Sequence, residues 1–397
     1  MYSTSCVVRV FLVGAILFGI SAVRPAEGQG QRHSLTDPSA TFPEGLSSVA
    51  GLRELSDGRI MVSDRLGQAI MIVDIDAGMA DTIGRSGQGP GEYKMPGRLF
   101  PWRGDSTIML DLGNTRFTYV GPDGGFGESV PLMSQEGDMM RFVMPAGTDG
   151  LGNIYFQARS FGLQTPGASG PPDSAHIARW NLWDNSSDTV VALKTPERKM
   201  QTGGGNVMIA SIPFSPRDDW AVGWDGRIAV ARSTDFHVEW IEPSGSLVRG
   251  GVVAYDPVKI GQADKDEWQE ARSSPQAGMF IAIDGGGGAR ATTAPSGARF
   301  EGPQIEDDDW PEVKPPFPAS AVSVTPEGNM WVRRHVKAGA LPEYDVFDGQ
   351  GARLYTIVLP QDAQLAGFGA GAVYITRSDE FDLQWLQRYD RYWLNSR

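Results

Sequence analysis

Apolar residues recur along this chain in short two-faced runs, without the long three-to-four spacing of a helix. Gly58-Arg59-Ile60-Met61-Val62-Ser63-Asp64 places Ile60 and Val62 on one face and Met61 on the other, and Ile70-Met71-Ile72-Val73-Asp74-Ile75 follows across a turn at Gly67. Strands apolar on both faces belong to small sheets sandwiched between other sheets. Four further Gly-led openings repeat the pattern: Gly152-Asn153-Ile154-Tyr155-Phe156, Gly226-Arg227-Ile228-Ala229-Val230, Gly328-Asn329-Met330-Trp331-Val332 and Gly371-Ala372-Val373-Tyr374-Ile375. Partner strands are predicted over Ile177 to Leu182, His237 to Ile241, Tyr344 to Phe347 and Leu383 to Tyr389. The sixth unit is the meander around Asp111-Leu112-Gly113-Asn114-Thr115-Arg116-Phe117-Thr118-Tyr119-Val120, which turns at Pro122-Asp123-Gly124.

Six meanders of short strands predict an all-β, six-bladed β-propeller: radial sheets around a channel, each too small to be stable alone. The 50 glycines and 27 prolines suit that reading better than a helical one. The stretch Asp111-x-x-Asn114-x-Arg116-Phe117, with Gly87-x-Gly89-Pro90-Gly91-Glu92-Tyr93 and Pro96 ahead of it, resembles NHL-repeat proteins. The whole chain beyond residue 28 is similar to secreted bacterial six-bladed propellers. The resemblance implies NHL-like blades and a ring closed by pairing of the two chain ends, with residues 34–42 supplying the outer strand of the last blade. A ring without free edges implies a monomer.

The pattern breaks at about 160–175, 196–220 and 258–318, which read as insertions in a single domain spanning 29–397. The first, Gly162 to Asp173, is a breaker-rich loop. In the third, Asp264 to Arg272 reads as a short external helix capped by Asp264 and stopped by Pro275. Gly285 to Gly302 reads as a mobile linker, followed by an extended Asp307 to Pro318. Gly87 to Tyr93 reads as a connector between sheets, because Pro90 lacks an amide and no helix follows to make a phosphate loop.

Residues 1–28 read as an export signal: Arg9 precedes an apolar run from Val10 to Ile20, and Ala26-Glu27-Gly28 offers a cleavage site before Gln29. That run is too short to cross a bilayer, although an uncleaved anchor is the alternative reading. Cleavage removes Cys6, the only cysteine, and with it thiol and disulfide chemistry. The expected location is periplasmic or secreted. A net charge of −13 with scattered basic residues disfavours nucleic acid and anionic lipid as partners.

Counting six residues from each opening glycine reaches Asp64, Arg232, Arg334 and Arg377; Asp111 is the equivalent in the second unit, and Arg159 lies one step beyond in the third. If the openings are innermost strands, these residues crowd one mouth of the channel. There they would either bind carboxylate, sulfate or phosphate through guanidinium forks, or pair between blades, Asp64 with Arg377 in particular, to close the ring. His33, His176, His237 and His335 show no metal-ligand spacing, and Glu306-Asp307-Asp308-Asp309 lacks the alternation of a calcium loop. No nucleophile elbow or P-loop occurs. The expected function is therefore non-catalytic binding, without a cofactor, of a small anionic molecule, a glycan or another exported protein. The alternative is a lactonase- or lyase-like propeller enzyme using a metal in the channel.

Overall fold

The computed structural model describes residues 31–136, 139–158, 174–203, 206–273, 279–283, 289–293 and 305–391. Within them the chain folds as a six-bladed β-propeller. Blade 1 is Val49–Glu54, Ile60–Asp64, Ala69–Asp74 and Met79–Ile83; blade 2 is Pro96–Pro101, Thr107–Asp111, Arg116–Val120 and Phe126–Pro131. Blade 3 comprises Gly147–Thr148, Asn153–Ala158, Ser174–Asn181 and Ser187–Lys194, and blade 4 comprises Asp219–Val222, Ile228–Arg232, His237–Ile241 and Leu247–Arg249. Blade 5 is Val322–Val324, Met330–Arg333, Glu343–Phe347 and Arg353–Val358; blade 6 is Ala363–Gly369, Ala372–Ser378 and Gln384–Asp390.

Core packing shows why six sheets close into a ring. Each second strand sends alternate side chains to opposite neighbours, as its period of two dictates. Ile60 and Val62 meet Tyr374 and Leu386 of blade 6, whereas Met61 meets Leu99 and Met109 of blade 2. Ile108 and Leu110 then meet Ile154 and Phe156; Tyr155 meets Ile228 and Val230; Ala229 and Ala231 meet Met330 and Val332; Trp331 meets Val373 and Ile375. The last of these contacts returns to blade 6, completing the circle. The second strands are buried on both faces, as in Ile60–Asp64 and Thr107–Asp111, so they show no alternating polar side.

The Gly-led openings are the second strands of their blades. The pattern predicts them as innermost; instead, each is preceded by another strand, and those first strands pack against one another around the hub. The first strands escape sequence reading because several are partly solvated or irregular: all four positions of Asp219–Val222 are half-buried, and bulges interrupt Val49–Glu54, Pro96–Pro101 and Ala363–Gly369.

Two segments of the N-terminal lead-in join the ring. Ala40–Thr41 pairs antiparallel with Gln387 and Arg388 as the fourth strand of blade 6, while Gln31–Ser34 adds in parallel to Arg353–Val358 as a fifth strand of blade 5. Phe42 follows, with no exposed surface, against Leu46, Tyr374 and Leu386. Arg388 reaches across to Asp76 of blade 1 with two hydrogen bonds of 2.8 Å.

The insertions differ in kind. Arg198–Gly203 and Asn206–Ser211 form a hairpin. Gln262–Ser273 is a helix that begins two residues earlier than predicted, so Asp264 is its third residue; it caps the helix by reaching back to the Gly261 amide at 2.8 Å. Met279–Ile283 pairs with Ala289–Thr293 within the glycine-rich region. Asp307–Asp309 forms a single 3₁₀ turn where an extended start is expected. The loop 159–173, the rest of 285–302 and the export signal lie outside the described residues. Among the described residues no helix is long and apolar enough to cross a membrane.

Because Phe42 fills the seam between blades 6 and 1, Phe42→Ala should destabilise the protein by about 3–5 kcal/mol, measured by denaturant unfolding. A cost below about 1 kcal/mol would mean that the seam does not need this segment.

Candidate functional site

Asp64, Asp111, Arg232, Arg334 and Arg377 all fall on one face of the ring, where second strands end and first strands begin, since Asp64 pairs with Val49, Asp111 with Pro96 and Arg377 with Ala363. Arg159 lies outside the described residues. Sharing a face does not bring these side chains together. The ion-pair partners of Asp111, Arg232 and Arg334 lie within their own blades or the chain entering them.

Asp64 is buried and accepts the amides of Ser47, Ser48 and Gly67 at 2.7–2.9 Å, clamping the entering connection to the next turn. It does not pair with Arg377, as one of the two expectations has it; the amides already occupy its oxygens, and Arg377 is exposed. Asp111, fully buried, accepts the Lys94 amide at 2.8 Å, Asn114 Nδ2 at 2.7 Å and Arg116 Nε at 3.0 Å. Asn114 also donates to the Gly87 carbonyl, and Arg116 to the carbonyls of Gln88 and Glu92. The Asp-x-x-Asn-x-Arg stretch therefore grips the glycine connector ahead of it.

In blade 4 the charges are exchanged. Asp218, just before the first strand, accepts the amides of Lys194 and Ser233, and Arg232 bridges it at 3.0 Å to Glu239 at 2.6 Å. His237, on the same strand as Glu239, is buried and meets it through Nε2 at 3.0 Å. It lies on a third strand, as does His176. Arg334 sits more loosely, 3.6 Å from Asp345 and 3.8 Å from Glu343.

The bore holds a charge that the opening pattern misses. Arg98 stands on the first strand of blade 2 and Asp219 on the first strand of blade 4, and the Asp219 carboxylate favours the charged guanidinium although blade 3 separates the two in sequence. Arg98 is surrounded by the ring yet retains exposed surface, and this burial draws its pKa down, with Asp219 acting in the opposite sense. Among the described residues it makes no ion pair or hydrogen bond; its guanidinium lies over the Phe100 ring at 5.2 Å. Asp219 accepts the Val322 amide at 2.8 Å, and burial raises its pKa. Gly97-Arg98-Leu99-Phe100 carries a sequence signal only once blade 2 is known to begin at Pro96.

Beside the bore, between blades 4 and 5, the same face carries a cleft of about 450 Å³. Its walls come from the chain entering blade 4 (Phe214, Arg217), the chain entering blade 5 (Phe317), Trp268 of the helix and His335 at the end of Met330–Arg333. His335 Nδ1 lies 2.8 Å from the Pro315 carbonyl. A carbonyl only accepts, so Nδ1 carries the proton and Nε2 the lone pair. Burial, with the charges of Lys314 and Arg333 acting the same way, pushes the imidazole down to about 4, against the Pro315 carbonyl and Asp264.

Among the described residues no three His, Cys, Asp or Glu side chains are grouped to hold a metal ion. The donor set in the bore does not fit a divalent cation, because an unpaired guanidinium stands there.

No protein-family model matches this chain, and no curated protein is similar to it. Solved structures of like fold include a gluconolactonase from Xanthomonas campestris, at 14% identity and TM-score 0.43 over 92% of this chain and 99% of that one. Virginiamycin B lyase from Staphylococcus aureus follows at 12% and 0.37, over 88% and 98%. The calcium-binding protein regucalcin from Agrobacterium tumefaciens gives 10% and 0.35, over 90% and 95%. The fold and its count of six blades rest on the sheets of this chain themselves.

His335 titrates lower in the folded chain than in the unfolded one, so its contribution to stability is present above about pH 6.5 and lost as pH falls towards 4. Between those limits the loss should reach on the order of 3 kcal/mol. Urea melts of the native protein and His335→Gln from pH 7 to 4 should differ in slope; parallel curves would mean that the ring is not buried neutral.

Proposed function

We propose that the protein is an exported, monomeric, non-catalytic propeller that binds a small anionic ligand at the mouth of its bore. Export rests on the signal pattern of residues 1–28, and the NHL-like character on the Asp111 to Phe117 stretch and its grip on the glycine connector. The observation that carries the reading is Arg98: a guanidinium enclosed by the ring and open to water, which makes no hydrogen bond or ion pair among the described residues and feels Asp219 only beyond ion-pair distance. Such a group has lost part of its hydration, and an entering carboxylate or phosphate restores what the protein withholds.

Arg377 stands exposed on the same face and supplies secondary positive charge at the rim, while Asp345 and Glu343 partly offset the charge of Arg334. Arg232 is committed to Asp218 and Glu239 and is a structural member of that face. Asp219 opposes the anion, which limits how tightly a monovalent acid is held. A glycan or a protein would need to carry acidic groups to use the same charge. The metal-dependent enzyme is less well supported, because the guanidinium that favours an anion repels a divalent cation.

A thermal-shift screen of small carboxylates, sulfates and phosphates, followed by calorimetry, tests this. Arg98→Ala should weaken binding of the best anion by about 10- to 100-fold, and Asp219→Asn should strengthen it. Arg98→Ala should also melt no lower than the native protein, since an unpaired enclosed charge is removed. Equal anion binding by native and Arg98→Ala protein, or no stabilising anion at all, would overturn the reading.

A further inference from the structure

The geometry points to a second binding site, independent of the bore: we infer that the cleft between blades 4 and 5 takes a small planar aromatic molecule whose hydroxyl donates a hydrogen bond to His335 Nε2.

The shape comes from rigid pieces. Phe214, Phe317 and Trp268 line the cleft together with prolines of the chains entering the two blades. Its volume of about 450 Å³ lies within the range of small-molecule sites. Flat aromatic and pyrrolidine walls stack on a flat partner and lose little side-chain entropy in doing so.

Phe214 carries a φ of +50°, a left-handed backbone that a bulky residue adopts only when its surroundings impose it. The imposing contacts are visible. Its ring meets His335 edge-on at 5.5 Å and Trp310 at 6.0 Å, and the ammonium of Lys314 lies 5.3 Å from its centre. Lys314 is itself buried, paired with Asp264 of the helix at 2.7 Å and donating to the Val336 carbonyl at 2.9 Å. Trp268 leans on Trp310 at 5.3 Å, edge to face. The helix, the segment after it and the end of the second strand of blade 5 are thus locked together around the phenylalanine, and strain is held where the ring forms a cleft wall.

The polar groups set the chemistry. His335 is fixed at Nδ1 by Pro315, and its Nε2 has no partner among the described residues. A neutral imidazole nitrogen accepts a hydrogen bond and has nothing to donate there. Ser215 already accepts the Glu197 amide, and Arg217 is the one charged side chain lining the cleft. A sugar would bring more hydroxyls than these groups can satisfy and would leave most of them unpaired in an apolar cleft. A phenol brings one donor, matched to one acceptor, on a flat apolar body.

The test uses the intact protein and two probes, 4-methylphenol and 4-methylanisole, which share a body but differ in the donor. Saturation-transfer NMR and calorimetry should show the phenol binding about 10-fold more tightly than its methyl ether. Trp268→Ala, on the helix surface, should weaken both at least 5-fold. His335→Leu should abolish the difference between them, and Arg98→Ala should leave both unchanged, which separates this site from the bore. Equal affinity of the two probes for the native protein, binding unaffected by Trp268→Ala, or no binding of the phenol at millimolar concentration would each overturn the inference. If His335→Leu does not fold, the comparison of the two probes on the native protein still decides.

Discussion

Each blade of this protein carries apolar side chains on both faces of its second strand, and everything else in the structure follows from the need to cover both. Ile60 and Val62 can be buried only by blade 6, Met61 only by blade 2. A row of such sheets would end in two uncovered faces; a circle has none. The chain therefore gains its full burial only when the last face is matched to the first, and residues 40–42 make that match by joining blade 6 before the chain enters blade 1. A repeat array closed in this way couples its units, so the usual additive description of neighbouring repeats gives way to a single cooperative body.

Ring closure leaves one polar problem at the face where connections cross from an outer strand to the next inner one. Those crossovers expose amides near the core, and unsatisfied amides are costly there. Blades 1, 2 and 4 solve it with a buried carboxylate, but the carboxylate comes from different places in the chain. Asp64 and Asp111 end second strands; Asp218 precedes a first strand, which releases the second-strand end for Arg232. The function of the position is preserved while its residue reverses sign. A periodic count along the sequence therefore collects aspartates and arginines that share a structural duty, and reads them as a charged ring.

This explains which parts of the protein were legible beforehand. Second and third strands were, because burial on both faces leaves apolar side chains at nearly every position, as in Ile228-Ala229-Val230. First strands were not, since half of each is turned to the bore and its residues answer to water and charge. Arg98 and Asp219 sit there, so the most informative pair of side chains fell outside the pattern. The helix was found from its acidic start and its stop, whereas its purpose was not, because Trp268 meets Trp310 and the cleft only through contacts distant in sequence. The sequence marks His335 only as a strand-end histidine; its tautomer depends on a carbonyl of Pro315 that no spacing rule connects to it.

The two candidate sites differ in what holds them in a costly state. In the bore the cost is electrostatic: a guanidinium kept without a directly bonded carboxylate, tolerable because the ring around it is rigid and its stability comes from the interblade cores. In the cleft the cost is conformational: an aromatic residue in left-handed backbone, held by a buried lysine and by a helix that the repeat itself does not require. A crossover between blades 4 and 5 could be made with a few residues, as between blades 5 and 6, where Val358 and Ala363 are joined by a short turn. The long insertion instead builds a wall, caps it with its own helix and anchors that helix by the Lys314–Asp264 pair. Loops carried by a rigid scaffold can bear such strain without unfolding it, and the insertion is the part of the chain whose cost the fold alone does not explain.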